Sequence, residues 1–118
     1  MRGLVIAAAA LCVVAIPAEA MTVAQFLAKA RAVQAKGMLA VGSADLKALQ
    51  DEIMRVATAY RASPASRPPQ SCPPPPGQSK ISAQQLMAEL ERIPVAQRGM
   101  SMDTAFAAIM KRHYPCKR

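Results

Sequence analysis

Apolar side chains recur every three or four positions in four stretches of the chain, which is the spacing of amphipathic α-helices. The first stretch follows Thr22 and ends at Gly37. The second follows Ser43 and ends before Pro64. Strand-like alternation is missing and alanine is abundant, so the pattern predicts an all-α fold that begins with a pair of helices in 21–62. The apolar positions of this pair are Val23, Phe26, Leu27, Ala30 and Val33, then Leu46, Leu49, Ile53, Val56 and Tyr60.

A second pair of helices is predicted in 81–118, which makes a small four-helix domain of 21–118. The first helix of this pair follows Ser82 and runs to Ile93, where a proline stops it. The last helix follows Ser101 and closes at Tyr114. One face of the last helix is formed by Met102, Phe106, Ile109 and His113.

Two of the predicted helix starts carry two capping devices each. Thr22 stands three residues before Gln25, and Ser82 stands three residues before Gln85, which is the spacing of a capping box. A hydrophobic staple is also predicted at each start, because apolar residues occupy the position before the cap and the fourth helical position. The staple pairs are Met21 with Phe26 and Ile81 with Leu86.

The two helix pairs are separated by a proline-rich segment, 63–80, which holds seven of the ten prolines. Consecutive prolines favour extended polyproline II structure and exclude helix, so the segment is expected to be a semi-rigid connector. A proline ligand for an aromatic-lined groove of another protein is the alternative.

Residues 1–20 have the organisation of a secretory signal peptide. A basic start precedes an apolar run of 13 residues, and small residues stand before the expected cleavage after Ala20. This run is too short to cross a membrane as a helix, so we expect a periplasmic protein without an integral membrane anchor. Cys12 would be acylated in a lipoprotein, but Leu11 precedes it where a small residue is required.

Removal of residues 1–20 leaves an even pair of cysteines, Cys72 and Cys116. Disulfides form and persist in an oxidising compartment, so this pair is expected to form a structural bridge. The alternative is a redox or nucleophilic pair, but the C-x-x-C spacing of such sites does not occur. The bridge would hold the connector against the end of the last helix.

The sequence predicts no catalytic residue, no cofactor site and no metal site. His113 is the single histidine and lies beside Lys111 and Arg112, where positive charge interacts favourably with a helix C-terminus. Met100 and Met102 have the Met-x-Met spacing of copper sites with thioether ligands. We expect the methionines to fill gaps in a core poor in aromatics instead. Those expected at apolar faces are Met54, Met87, Met102 and Met110.

The chain carries 15 basic and 7 acidic side chains, a formal net charge of +8. The basic residues are spread along the chain and aromatic residues for base stacking are scarce, so no nucleic-acid partner is expected. Acidic protein surfaces and the anionic lipids or polysaccharides of the envelope are the expected counterparts. On the second helix, Lys47, Asp51 and Arg55 recur every four residues and are expected on its exposed face.

The C-terminal half, 72–116, resembles the Rap/Tai immunity family. The residues that carry the resemblance are Ser71-Cys72-Pro73, Ser82-Ala83-Gln84-Gln85-Leu86, Ile93-Pro94, Ala105-Phe106-Ala107-Ala108-Ile109 and Tyr114-Pro115-Cys116. Members of this family are small exported helical proteins of Gram-negative bacteria. The resemblance implies a periplasmic protein that blocks a cell-wall amidase delivered by type VI secretion, and it implies the same Cys72–Cys116 bridge.

Two functions follow as expectations from the sequence. The first is an immunity-type module that binds a protein partner, such as a peptidoglycan amidase, by occluding its cleft with an exposed loop. The loops at 37–42 and 95–100 are the candidates by position. The second is a basic structural or stress protein on the anionic envelope surface. An alanine-rich helix pair with a thin core also allows a homodimer.

Overall fold

The computed structural model describes residues 20–78 and 81–117, and within these ranges the all-α prediction is confirmed. The predicted signal peptide, with Cys12, lies outside the described residues apart from Ala20. Three short 3-10 turns join the helices, and no β-strand occurs in the described ranges. The four helices are α1 (Val23–Lys36), α2 (Ala44–Ala62), α3 (Ala83–Glu91) and α4 (Met102–His113).

Both predicted capping boxes are present. The Thr22 hydroxyl accepts from the amide of Gln25 at 3.2 Å, and the Gln25 side chain accepts from the amide of Thr22 at 3.0 Å. Ser82 and Gln85 form the same reciprocal pair at 3.1 and 2.8 Å. These bonds satisfy amides that have no partner inside a helix, so the sequence itself sets where α1 and α3 begin.

Helix α3 ends at Glu91, two residues before the predicted end at Ile93. A residue that precedes proline is disfavoured in helical conformation, which shortens the helix before Pro94. The guanidinium of Arg98 then donates to the carbonyls of Ile93 and Glu91, each at 2.9 Å. A side chain from the following loop therefore satisfies carbonyls at the end of α3.

One hydrophobic core joins all four helices. The expected apolar faces supply it, and the partly buried Met21 and Phe106 pack against its edge. Within the described residues, no helix is both long and apolar enough to cross a membrane. The buried members of the core are Val23, Phe26, Leu27, Ala30, Leu49, Val56, Leu86, Leu90, Met102, Ala105 and Ile109.

The proline-rich connector is less extended than predicted. Residues 64–66 form a 3-10 turn, further turns follow at 68–70 and 76–77, and the longest stretch without helical or turn structure is 71–75. The reason is local hydrogen bonding, because the Ser66 hydroxyl donates to the carbonyls of Arg61 and Ser63 and folds the chain back against the end of α2. Serine side chains compete in this way with extended structure.

The predicted disulfide is present. Cys72 and Cys116 are bonded, with an S–S distance of 2.01 Å, across 44 positions of the chain. The amide of Cys72 also donates to the carbonyl of Tyr114 at 2.8 Å. The bridge therefore holds the connector against the C-terminal end of α4, as expected.

Candidate protein-binding surface

The most exposed apolar side chains of the described residues are concentrated in one turn between α1 and α2, residues 37–42, which we call the apolar loop. Met38 is 89% exposed, Leu39 is 86% exposed and Val41 is 78% exposed. Scattered apolar residues are normal on a protein surface, whereas three within four positions form a patch. Such patches mark sites that bind other molecules.

Most of the apolar loop faces solvent because its backbone directs only the side chain of Ala40, the smallest of its apolar residues, towards the interior. Ala40 is 3% exposed, and its carbonyl accepts from the amide of Ser43 at 2.8 Å. Gly37 and Gly42 have φ values of +56° and +79°, a region that residues with side chains avoid. The two glycines reverse the chain around Ala40, so its larger neighbours point outwards.

Ion pairs connect α1 and α2, the two helices that flank the apolar loop. Asp45, in the first turn of α2, lies 3.6 Å from the ammonium groups of both Lys29 and Lys36 on α1. Exposed pairs of this kind contribute little to stability, but they join the helices that border the loop. The loop is thus a short turn between two connected helices, which limits the conformational entropy that it would lose on binding.

The second candidate loop, 95–100, has mainly a structural role. Its backbone carbonyls at Arg98 and Met100 accept from the amides of Ala24 and Val23, at 2.9 and 3.0 Å. These are unpaired amides of the first turn of α1. Val95 is 77% exposed, and residues 95–97 together with Gly99 remain open to solvent.

His113 lies beside acidic and basic side chains rather than beside a nucleophile. Its Nε2 is 3.4 Å from Glu89 of α3, and Arg112 donates to the same carboxylate at 2.6 Å. His113 lies in the last turn of α4 with Lys111 and Arg112, as expected, and it is exposed, whereas Met102 and Ile109 of the same helical face are buried. Cys72 and Cys116 are bonded to each other, which leaves neither thiol free.

The four methionines expected at apolar faces follow the core role with one exception. Met102 and Met110 are buried, and Met87 packs partly against the core. Met54 is 70% exposed and does not belong to the core, because α2 turns this position away from the other helices. Across the described ranges, no group of three metal-ligating His, Cys, Asp or Glu side chains is found.

An open apolar groove of about 590 Å³ runs between α2, the connector and the C-terminal helices. Met54 and Phe106 are among the residues that line it. Two of its polar lining residues have partners within the chain, since Tyr60 bonds to Ser71 and the Arg61 guanidinium donates to the carbonyl of Pro74 at 2.8 Å. The lining of the groove is otherwise mainly apolar.

Sequence reasoning missed a partly buried charge cluster between α2 and α4. Glu52 is 3% exposed and accepts from Arg55 at 2.7 and 3.0 Å. Arg55 also donates to Asp103 of α4 at 2.9 and 3.2 Å, so its prediction as an exposed residue is wrong. The hydrogen bonds that Arg55 donates to Glu52, and secondly to Asp103, raise the pKa of Arg55 above its ordinary value. Lys47 and Asp51 are exposed and paired at 2.8 Å, as expected.

Comparison with known proteins adds no relative: no protein-family model, no curated protein and no solved structure matches this chain.

Proposed function

We propose that this chain is an exported periplasmic binding module that inhibits a partner enzyme by inserting its apolar loop into the enzyme's cleft. The observation that supports this function is the exposure of Met38, Leu39 and Val41 on a turn whose flanking helices are joined by ion pairs. The resemblance of 72–116 to the Rap/Tai family favours a peptidoglycan amidase delivered by type VI secretion as the partner. In this role the chain is an inhibitor and not an enzyme.

The size of the exposed patch is suited to an anchor. Complete burial of an aliphatic side chain stabilises a complex by about 1.5–3 kcal/mol, so the three side chains together contribute about 5–9 kcal/mol. Association costs an estimated 4–15 kcal/mol in lost freedom of motion. The apolar loop alone therefore supports weak binding, and tight inhibition requires further contacts around it, as in interfaces where a few central residues dominate.

The alternative function, attachment to anionic lipid or polysaccharide, has support from the net charge of +8. The charges beside the apolar loop favour a protein cleft instead. Lys29 and Lys36 share Asp45, so the positive charge next to the loop is partly neutralised. Of the basic cluster near the C-terminus, Arg112 is likewise paired with Glu89. An anionic surface would be held more strongly by unpaired cations.

The test measures inhibition of purified peptidoglycan amidases of the class delivered by type VI secretion. Leu39→Ser should weaken binding by about tenfold or more, since one tenfold change corresponds to about 1.4 kcal/mol and burial of leucine exceeds it. Val95→Ser is the matched control, because Val95 is similarly exposed but lies on the other loop. Equal effects of the two substitutions would contradict insertion of the apolar loop.

The salt dependence of binding distinguishes the inhibitor from the protein attached to an anionic surface. Binding to vesicles of anionic phospholipid that disappears as ionic strength rises, without amidase binding, would favour the surface-attached protein. A complex held by the apolar loop should keep most of its affinity in salt.

Light scattering of the purified chain should give the mass of a monomer. A dimer that Leu39→Ser dissociates would make a second copy, rather than an enzyme, the occupant of the loop.

A further inference from the structure

The backbone nitrogen of Met21 lies 3.2 Å from Oε1 of Glu52, a carboxylate that is almost fully buried. Met21 is also the residue that becomes the first of the chain if the signal peptide is removed after Ala20. We propose that Glu52 is the binding site for the α-ammonium group that this cleavage creates. The inference rests on the export included in the proposed function, and it does not depend on any partner.

The charges around Glu52 favour a cation at this position. Glu52 and Asp103 both bind Arg55, so two carboxylates share one guanidinium and the three side chains carry a net charge of −1. In an uncleaved chain, Met21 offers an amide N–H, which is a dipole without net charge. After cleavage the same nitrogen carries a full positive charge, and the cluster becomes neutral. A buried carboxylate is stabilised most by a charged donor at hydrogen-bonding distance.

Neighbouring cations do not supply the missing charge. Glu52 and Met21 line a second groove, between α1 and α2. Lys29 lines this groove too, but its ammonium lies 3.6 Å from Asp45. Asp51, the other carboxylate that lines the groove, is paired with Lys47 at 2.8 Å. Each of these pairs lies apart from the carboxylate of Glu52. The nitrogen of Met21 is therefore the remaining donor that the structure directs at Glu52.

The position of Met21 is fixed by its other groups. Its carbonyl accepts from the amide of Met102 at 2.9 Å, and its side chain packs against the core. Thr22, the next residue, is held by its capping box and by an isolated β-bridge to Ser101. A chain that kept Ala20 would move the α-amino group by about 3.8 Å along the backbone, beyond hydrogen-bonding distance. The site thus selects one starting residue.

The site makes stability depend on pH in a defined direction. An opposite charge raises the pKa of an amino group, so the Met21 α-amino group should titrate above its usual value of about 8. Its contribution is then fully present below about pH 8 and is lost as the pH rises through the raised value. Arg55 keeps its charge over this range. Asp51, which is paired with Lys47, also lines the groove, and this pair is common to every variant described below.

A four-protein cycle tests the site on the chain of residues 21–118 with its disulfide formed. The α-amino group is left free or acetylated, each with Glu52 and with the Glu52→Gln substitution. Acetylation removes the charge but keeps an N–H donor, and the acetyl group occupies the position of the Ala20 carbonyl. At pH 7, acetylation should raise the unfolding equilibrium constant about tenfold when Glu52 is present, since one pKa unit corresponds to tenfold. In the Glu52→Gln background the increase should be less than about twofold, because the carboxylate that binds the ammonium group is gone.

Equal effects of acetylation in the two backgrounds, or no effect in either, would overturn the inference. If Glu52→Gln does not fold, the pKa of the α-amino group, measured by NMR titration of the unsubstituted chain, decides: a value at or below about 8 contradicts the site. A chain that starts at Ala20 should behave like the acetylated one. N-terminal sequencing of the periplasmic protein should begin at Met21, and another start would overturn the natural role of the site. None of these measurements involves an amidase, so they would be unchanged if the chain did not bind one.

Discussion

The hydroxyl group of Ser71 joins the connector to α2 through a short chain of hydrogen bonds. Ser71 is completely buried and lies between the Tyr60 hydroxyl and the carbonyl of Ala65. A carbonyl can only accept, so Ser71 donates to Ala65 and Tyr60 donates to Ser71. The ring of Tyr60 meets Phe106 edge to face, with centroids 5.4 Å apart. One residue of the connector therefore sets the orientation of an aromatic contact between α2 and α4.

Ser71→Ala should lower the free energy of unfolding by about 1–3 kcal/mol, because it leaves buried polar groups without partners. Tyr60→Phe removes the other hydroxyl and keeps the ring against Phe106. The double variant should be more stable than the sum of the two single effects predicts, since it leaves fewer unpaired groups. Urea unfolding measures all three proteins. Strict additivity would mean that the two hydroxyls do not interact.

The contacts of single residues show which part of this structure was predictable. The capping boxes were predicted because their partners, such as Thr22 and Gln25, are three positions apart and need only a local helix. Arg55 and Asp103 are 48 positions apart, and their contact exists only after α2 and α4 have packed. Regular spacing assigned Arg55 to the exposed face, whereas the tertiary contact with Asp103 draws its long side chain towards α4.

At the scale of elements, the apolar loop was predictable as a turn but not as a patch. Gly37 and Gly42 mark a break between two helices in the sequence. Which of the intervening apolar residues is buried depends on how the backbone reverses between α1 and α2. Ala40 is the residue that is buried. A turn of four residues is too short to show a periodic pattern, so the sequence could not predict which of them would be buried. The same argument applies to the connector, where the hydroxyl of Ser66 takes part in the turn at 64–66 through contacts that the run of prolines does not reveal.

The glycines that bound the apolar loop are needed for their backbone conformation and not for space. A β-carbon at Gly37 or Gly42 would meet no atom within 4 Å, but both residues have positive φ. Gly37→Ala and Gly42→Ala should each destabilise the chain by about 1–2 kcal/mol, because alanine in the left-handed region is strained. Thermal or urea unfolding gives the value.

Gly99→Ala is the matched control for the loop glycines. Gly99 is exposed, has equally open surroundings and lacks a positive φ. Alanine there should leave the stability unchanged or raise it by about 0.4–1 kcal/mol, since it restricts the unfolded chain. A loss at Gly99 equal to that at Gly37 would show that flexibility of the loops, rather than positive φ, explains the effect.

Residues 20–78 and 81–117 form a four-helix domain. Its two helix pairs share one core, and the disulfide at the connector links them a second time. Leucines of α3 and the buried face of α4 complete a core that α1 and α2 begin. The core is small and includes two alanines, Ala30 and Ala105, so hydrophobic burial leaves a narrow margin of stability. The Cys72–Cys116 bridge supplies a constraint that the helices alone do not.

Replacement of both cysteines by serine should lower the free energy of unfolding by about 4 kcal/mol, the value of the chain-entropy model for a loop of this length. The native contacts near the bridge should persist, because the Cys72 amide donates to the Tyr114 carbonyl independently of the sulfur atoms. The main effect is then on the unfolded chain, which becomes less restricted. Urea unfolding of the variant should therefore show a lower midpoint together with a steeper dependence on denaturant. Reduction of the unsubstituted protein should reproduce both changes, whereas a variant as stable as the oxidised protein would mean that the core holds the two helix pairs together without the bridge.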